Sequence, residues 1–228
     1  VLEAKDNNHS TGDGMQQALD YAQRLLVPFV FTSNGDSFVF HNRIITDKTK
    51  ETILSLDKFP SPEELWQLYK QNQSISPEQE KIISQPYYAE REDKIPRYYQ
   101  RNAINLTVDA IARGQNRILL VMATGTGKTY TAFQIIWRLW KAGVKKRILF
   151  LADRNALIDQ TYVNDFAPFK DKMTIVRQHR IDKSYEIYLA LYQGLTGDGD
   201  KNVFKQFSPG FFDLIVVDEC HRGSAKAD

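Results

Sequence analysis

Cysteine, long apolar runs and an excess of one charge are all missing from this chain. Its 228 residues contain one cysteine, Cys220, which excludes an internal disulfide and fits a reducing compartment. No stretch approaches the roughly 18 apolar residues that a membrane-spanning helix needs. The first residues also lack the basic and apolar regions of a signal peptide. These absences predict a cytoplasmic protein with no membrane partner.

The charge balance by itself leaves the class of partner open. Lys and Arg number 30 against 28 Asp and Glu, and the net charge of +2 is too small to indicate nucleic-acid binding. With 42% hydrophobic residues, the chain can bury a packed core. Its length suits one large domain or one domain and part of a second.

The most informative motif is a Gly- and Thr-rich loop at residues 122–129, which reads M-A-T-G-T-G-K-T. The apolar run 117–122 before it predicts a buried strand, and residues 128–141 predict the helix that follows. A strand, a loop and a helix in this order are the context that a phosphate-binding loop requires. Met122 replaces the first Gly of the strict pattern, a change that the helicase variant of the loop tolerates.

Each polar residue of the loop has an expected role in binding ATP and Mg²⁺. Gly125 and Gly127 allow a tight turn that directs backbone N–H groups at the phosphates. Lys128 would reach the β- and γ-phosphates, and the Thr129 hydroxyl would ligate Mg²⁺. The nucleotide-binding residues predicted in this loop are Ala123, Thr124, Gly125, Thr126, Gly127, Lys128 and Thr129.

An acidic pair follows a second apolar run, residues 211–217, which predicts a central parallel strand. Asp218 would hold Mg²⁺, and Glu219 would polarise the attacking water. Cys220 and His221 complete a D-E-x-H pattern, in which His221 either couples the nucleotide site to the rest of a motor or caps local backbone. Together with the loop, this pair predicts an ATP-driven nucleic-acid motor.

Two further groups are expected to serve that motor. Gln100 precedes the loop on a predicted helix, 97–113, and its amide would bind the adenine edge; the alternative is a solvated glutamine. Residues 152–155 follow a predicted strand, where contacts with a nucleic-acid backbone compete with simple helix capping as explanations. Residues 192–196 are a second candidate for such a contact.

The periodicities predict an α/β protein in three parts. Residues 1–47 form a strand–helix–strand–strand unit, with a hairpin signal at Asn34-Gly35-Asp36. Residues 48–88 form a helical connector, in which two Ser-Pro-Glu sequences mark helix starts. From residue 89 to 228, helices and strands alternate as in an open, mainly parallel sheet.

Glu3 and Lys5 form a short E-x-K motif on a predicted strand, where both side chains point to the same face. A carboxylate that ligates Mg²⁺ beside a lysine that orients or deprotonates water makes a metal-dependent nuclease site. The predicted helix that follows carries Gln17 and Tyr21, which match the Q-x-x-x-Y pattern of one nuclease group. The alternative is an exposed Glu/Lys pair on an edge strand.

These motifs, in this order, resemble the motor (R) subunit of type I restriction endonucleases across essentially the whole chain. The resemblance implies a partial PD-(D/E)xK nuclease-like α/β unit followed by the first RecA-like lobe of a superfamily 2 translocase. It implies Glu3 as metal ligand, Lys5 as catalytic lysine, and Gln17 and Tyr21 as accessory residues. It also implies ATP and Mg²⁺ as cofactors, and translocation and cleavage of double-stranded DNA together with methyltransferase and specificity subunits.

The chain departs from this family in two respects. In the family, the first metal-binding Asp lies upstream of the E-x-K strand. A second motor lobe, which supplies arginines to the ATP cleft, follows the first lobe. Residues 1–228 contain neither this Asp nor the second lobe. We therefore expect these residues alone neither to hydrolyse ATP efficiently nor to cut DNA. Two alternatives remain: a stand-alone superfamily 2 DNA or RNA helicase with a non-nuclease N-terminal domain, and a non-enzymatic nucleotide-binding scaffold.

Overall fold

Two sheets organise this chain, one in each of two units. The computed structural model describes residues 1–46, 50–89, 95–152, 165–176, 182–191, 195 and 203–220. Unit 1 comprises Val1–Glu80, and unit 2 comprises Lys81–Asp228. No helix in these described ranges has both the length and the apolar character that crossing a membrane demands.

Unit 1 is built on a mixed four-stranded sheet. Its strands are β1 Leu2–Ala4, β2 Phe29–Ser33, β3 Ser37–Asn42 and β4 Glu51–Ser55, and its helices are α1 Met15–Leu25, a 3-10 turn Leu56–Lys58, α2 Pro62–Asn72 and most of α3 Pro77–Ile83. The strand order is β1-β2-β3-β4; β1 runs parallel to β2, and β3 is antiparallel to both of its neighbours. The predicted strand–helix–strand–strand arrangement is therefore confirmed.

Helix α1 is fixed against this sheet by small side chains. Ala18 and Ala22 are fully buried and pack against Val30 of β2. Because alanine has no side chain beyond Cβ, the helix backbone approaches the sheet closely. Gln17 and Tyr21 each precede one of these alanines, so they lie on an adjoining face of α1, and both are exposed.

The prediction of a purely helical connector over residues 48–88 is wrong at its start. Residues Glu51–Ser55 form β4, whose Ile53 lies opposite Val39 of β3. Most β4 side chains are exposed, so no apolar alternation marks this strand, and its pairing with β3 defines it. The two predicted helices are confirmed as α2 and α3, and Ser61 makes a full capping box with Glu64.

Unit 2 contains a parallel sheet. Its strands are β5 Ile148–Ala152, β6 Met173–Ile175, β7 Ile187–Leu191 and β8 Leu214–Val217, its α-helices are α4 Tyr98–Ala112 and α5 Lys128–Lys141, and 3-10 turns span Ala167–Lys172 and Val203–Gln206. The order is β6-β7-β5-β8, and all described pairings are parallel, as predicted. Helix α5 buries Phe133 and Ile136 against Ile148 and Phe150 of β5. The carboxyl ends of β5 and β8 lie near the start of α5, because the Asp218 N–H donates to the Leu151 carbonyl and Glu219 contacts Lys128.

The predicted buried strand at 117–122 is not observed. Residues 115–123 have no strand assignment, and Leu119 and Val121 are 73% and 88% exposed. A strand exists only where a neighbour completes its hydrogen bonds. Within the described parts of the chain, no strand lies beside this segment, and β8 pairs with β5 alone. Of the alternating helices and strands predicted from residue 89 onward, the part at residues 153–164 lies outside the described residues.

The first residues of unit 2 are tied to α5 by two buried polar side chains. Gln134 is fully buried; its amide accepts from the Tyr88 N–H at 2.9 Å and donates to the Tyr88 carbonyl at 3.0 Å. Arg138 donates to Asn105 Oδ1 at 2.7 Å and to the Ile83 carbonyl, and its guanidinium lies over the Tyr87 ring. Burial lowers the pKa of the Arg138 guanidinium.

Arg138→Ala should lower the free energy of unfolding of unit 2 by about 3 kcal/mol, because it leaves the Ile83 carbonyl and the Asn105 amide without their charged donor. Urea denaturation followed by the fluorescence of Trp137 and Trp140 measures this. The control is Arg113→Ala, which removes an i,i+4 ion pair to Asp109 at the end of α4, worth about 0.3 kcal/mol. If both substitutions lowered the free energy of unfolding equally, the contacts of Arg138 would not stabilise unit 2 as proposed.

Candidate functional site

The E-x-K motif and the Q-x-x-x-Y motif meet in unit 1. Lys5 Nζ lies 3.0 Å from Glu3 Oε1 and donates to Gln17 Oε1 at 3.3 Å. Gln17 Nε2 in turn donates to the Tyr21 hydroxyl at 3.1 Å. All four residues predicted for the nuclease site therefore form one continuous polar chain, Glu3–Lys5–Gln17–Tyr21.

The fold positions this chain through two regular elements. Glu3 lies on β1, and the Lys5 N–H continues the ladder by donating to the Ser33 carbonyl at 2.8 Å. Glu3 and Lys5 are two residues apart and share one face. Gln17 and Tyr21 are four residues apart on α1 and therefore share one face of the helix.

The described residues offer Mg²⁺ part of a ligand set at this position. Glu3 supplies one carboxylate, and no group of three or more His, Cys, Asp or Glu side chains able to hold a metal is found in the described part of the chain. Mg²⁺ is typically held by one or two carboxylates, with waters and substrate phosphates completing the shell. Glu3 therefore fits as one such ligand.

The phosphate-binding loop of unit 2 has the backbone that its sequence predicts. Gly125 and Gly127 adopt left-handed φ values of 78° and 80°, and α5 begins at Lys128 directly after the loop. Thr126 closes the turn, since its N–H and its hydroxyl both donate to the Ala123 carbonyl, at 3.3 and 2.6 Å. Residues 123–125 are exposed, so the loop surface is open to a ligand.

The acidic pair lies beside the loop lysine. Lys128 Nζ is 3.2 Å from Glu219 Oε1, with both side chains about one quarter exposed (26% and 23%). Asp218 extends the pairing of β8 because its N–H donates to the Leu151 carbonyl at 2.8 Å. Two segments about ninety residues apart in sequence thus bring their predicted catalytic groups into direct contact.

The backbone turns sharply at this pair. Glu219 has a left-handed φ of 51°, which is uncommon for a residue other than glycine, and Asp218 Oδ1 accepts its N–H at 2.9 Å. The turn directs the Glu219 side chain to Lys128. Backbone strain of this kind is concentrated at functional sites.

Gln100 contacts the loop directly, a contact that the sequence does not reveal. Its amide oxygen accepts from the Arg97 N–H at 2.8 Å, and its Nε2 donates to the Thr126 carbonyl at 2.9 Å. A Cβ at Gly127 would lie 2.5 Å from that Nε2. Gly127 is therefore required for its φ and also for the close approach of Gln100. The contact of Gln100 with adenine remains a prediction.

Several predicted groups lie outside the described residues: His221, residues 153–155, and residues 192–194 and 196. Thr129 lies on the first turn of α5 and is partly buried, as is Asp218. Their shared coordination of Mg²⁺ remains a prediction. Thr124 is exposed on the loop.

Comparison with known protein families matches residues 93–228 to one described as "Type III restriction enzyme, res subunit". This range contains Gln100, the phosphate-binding loop and the acidic pair. The chain belongs to this family.

Relatives with type I names match the chain beyond that range. It is 58% identical, over its whole length, to the type I restriction enzyme EcoAI endonuclease subunit of Escherichia coli. It is 33% identical, over 88% of its length, to the EcoKI endonuclease subunit of E. coli strain K12. The chain spans 28% and 18% of the lengths of these two relatives.

A solved structure supports the same assignment. The fragment structure of a putative HsdR subunit of a type I restriction enzyme from Vibrio vulnificus YJ016 is 39% identical, with a TM-score of 0.78. The match covers 97% of this chain and 39% of that one. The resemblance to the type I endonuclease subunit, inferred from the motifs, is thereby confirmed. The roles of the individual site residues stay predictions, as do the boundaries at 47 and 88.

Proposed function

We propose that this chain takes part in ATP-dependent DNA translocation coupled to endonucleolytic DNA cleavage, as part of a type I restriction-modification complex. The observation that carries the motor half is the contact between Lys128 and Glu219. It joins a helicase-type phosphate-binding loop to the D-E pair that such a loop needs for hydrolysis. The type I names of the relatives support the coupling to restriction.

In the motor site, the loop binds the phosphates of ATP, and the acidic pair activates the water that attacks them. Backbone N–H groups at the start of α5 and the Lys128 ammonium hold the phosphates of ATP. Thr129 and Asp218 would hold Mg²⁺, which would supply positive charge to the transferred phosphoryl group. Glu219 orients and polarises the attacking water, and ATP displaces its ion pair with Lys128.

In unit 1, the polar chain Glu3–Lys5–Gln17–Tyr21 supports the nuclease half of the proposal. Glu3 would hold Mg²⁺ against a DNA phosphate. As an ammonium, Lys5 would orient the attacking water; as a neutral amine, it would accept the proton of that water. Gln17, which donates to the Tyr21 hydroxyl, holds the Lys5 Nζ in place. The stand-alone helicase alternative treats these contacts as coincidence. The substrate is double-stranded DNA, and the partners are methyltransferase and specificity subunits.

The first experiment is DNA-stimulated ATP hydrolysis by the full-length subunit assembled with its partners. Turnover that rises with added double-stranded DNA supports a motor. Binding of ATP with no turnover under any DNA condition would support the non-enzymatic scaffold instead.

Glu219→Gln should preserve ATP binding and lower hydrolysis roughly 10²–10⁴-fold, because it removes the group that polarises water. Binding is retained since Asp218 still carries a charge for the metal, and Lys128 loses a competing partner. The measurements are equilibrium binding of a fluorescent ATP analogue with Mg²⁺ and steady-state ATPase with DNA.

Asp218→Asn is the matched control for that substitution, since it neutralises the adjacent carboxylate. It should weaken Mg²⁺-dependent nucleotide binding, which Glu219→Gln leaves intact. Parent-rate hydrolysis by Glu219→Gln would remove Glu219 from its proposed role.

A further inference from the structure

We propose that Gly14 is a positioning residue of the nuclease site: its missing side chain lets the loop before α1 lie directly on Glu3 and Lys5. The inference rests on the proposed function, because it concerns the geometry of the proposed catalytic pair. Nothing in the E-x-K or Q-x-x-x-Y motifs includes this glycine.

The contact is closer than any side chain permits. A Cβ placed on Gly14 would lie 2.9 Å from Lys5 Cε and 3.0 Å from Glu3 Cγ. Gly14 also has a φ of 90° and ψ of −4° at the N-cap of α1, a left-handed conformation that glycine adopts at little cost. The backbone at Gly14 thus packs against both side-chain stems.

Strand β2 and the β2–β3 turn anchor the loop before Gly14 through hydrogen bonds that resist its movement away from Glu3 and Lys5. Asn34 is 6% exposed; it donates to the His9 carbonyl at 3.0 Å and accepts from the Thr11 hydroxyl at 3.3 Å. The fully buried Thr32 donates to the Thr11 carbonyl at 2.7 Å.

Helix α1 anchors the loop on its other side. The Gly14 carbonyl accepts from the Ala18 N–H at 2.9 Å, and Ala18 is fully buried against Val30. Moving Gly14 outward would therefore pull α1 from the sheet. With both sides held, an added Cβ must be accommodated by Glu3 and Lys5.

The end of Lys5 is the part that yields most easily, because it is the far end of a flexible side chain. Its Nζ bridges Glu3 Oε1 and Gln17 Oε1. Displacing it disturbs little of the fold but separates the groups that the proposed chemistry requires to be adjacent. A substitution at Gly14 should therefore damage cleavage far more than folding.

The test is Gly14→Ala in the full-length subunit, assembled with its partner subunits. DNA cleavage should fall roughly 10²-fold, the effect of a misplacement of about 1 Å at a catalytic group. DNA-stimulated ATPase should stay at the parent rate. The matched control is Gly12→Ala in the same loop, since Gly12 is exposed, has no positive φ, and a Cβ there meets nothing within 4 Å.

Two readouts separate positioning from a general loss of structure. In Gly14→Ala, the Mg²⁺ concentration that gives half-maximal DNA cleavage should rise, because displacement of Glu3 weakens a proposed Mg²⁺ ligand. The Mg²⁺ concentration that gives half-maximal ATPase activity should not change. Lys5 should also react faster with an amine-labelling reagent in the metal-free protein, as measured by mass spectrometry, since it loses its place between Glu3 and Gln17. A general loss of structure would instead speed the labelling of other lysines in unit 1 as well, such as Lys70, which is held by Glu80.

Gly14→Asn covers the case in which Gly14→Ala does not fold. Asparagine tolerates a left-handed backbone better than alanine but carries the same Cβ. Cleavage equal to that of Gly12→Ala by either folded Gly14 variant would overturn the inference. Normal cleavage by Glu3→Ala or Lys5→Ala would instead refute the proposed nuclease site, so the two failures are distinguishable.

Discussion

Lys128→Ala is expected to abolish ATP hydrolysis and DNA translocation by the full-length subunit while leaving its fold intact. The lysine supplies the positive charge that holds the β- and γ-phosphates, and no other cation is placed on the loop 122–129. Its ion pair with Glu219 is partly exposed, and such pairs contribute less than about 1 kcal/mol to stability. The loop glycines and the helix start do not depend on this side chain.

The measurements are steady-state ATPase with DNA, displacement of a DNA-bound marker, and the melting temperature of the variant. The control is Lys146→Ala, which removes the same charge from an exposed residue in the turn after α5. It should behave as the parent, because Lys146 contacts Asp213 through its backbone N–H. Unchanged ATP turnover by Lys128→Ala would refute the assignment of the loop.

Glu3→Ala and Lys5→Ala should each abolish DNA cleavage and leave DNA-stimulated ATPase at the parent rate. Loss of a group that accepts or orients a proton lowers rates by roughly 10²–10⁴-fold, and loss of a metal ligand acts on the same step. The ATPase is spared because the phosphate-binding loop and the acidic pair belong to the other compact unit. Separate assays of nicking, double-strand cleavage and ATP turnover on the same preparations measure the nuclease activity and the ATPase activity.

Matched controls for Glu3→Ala and Lys5→Ala are available in unit 1. Lys58→Ala and Glu63→Ala remove one charge of each sign from exposed residues outside the polar chain. Neither should change cleavage. If Glu3→Ala and Lys5→Ala also cleave DNA at the parent rate, the contacts among Glu3, Lys5 and Gln17 have no nuclease role. The stand-alone helicase interpretation would then be favoured.

The sequence by itself determined the features that depend only on residues adjacent in the chain. The phosphate-binding loop, the two helix starts at Ser61 and Ser76, and the turn between β2 and β3 were all predictable. Turns, caps and loop glycines express local backbone preferences, which a short window of sequence contains. The E-x-K and Q-x-x-x-Y spacings likewise place each pair on one face of its own element.

Only the tertiary structure decided which of these local elements meet. Strand β4 exists because β3 pairs with it, whereas the apolar segment 117–122, with no neighbour among the described residues, has no strand assignment. The contacts of Lys128 with Glu219 and of Gln100 with Thr126 join residues far apart in the chain. The close approach of Gly14 to Lys5 joins a helix start to the end of a strand. The physical reason is that hydrogen bonding between strands and close packing depend on distances between segments, which local propensity does not contain.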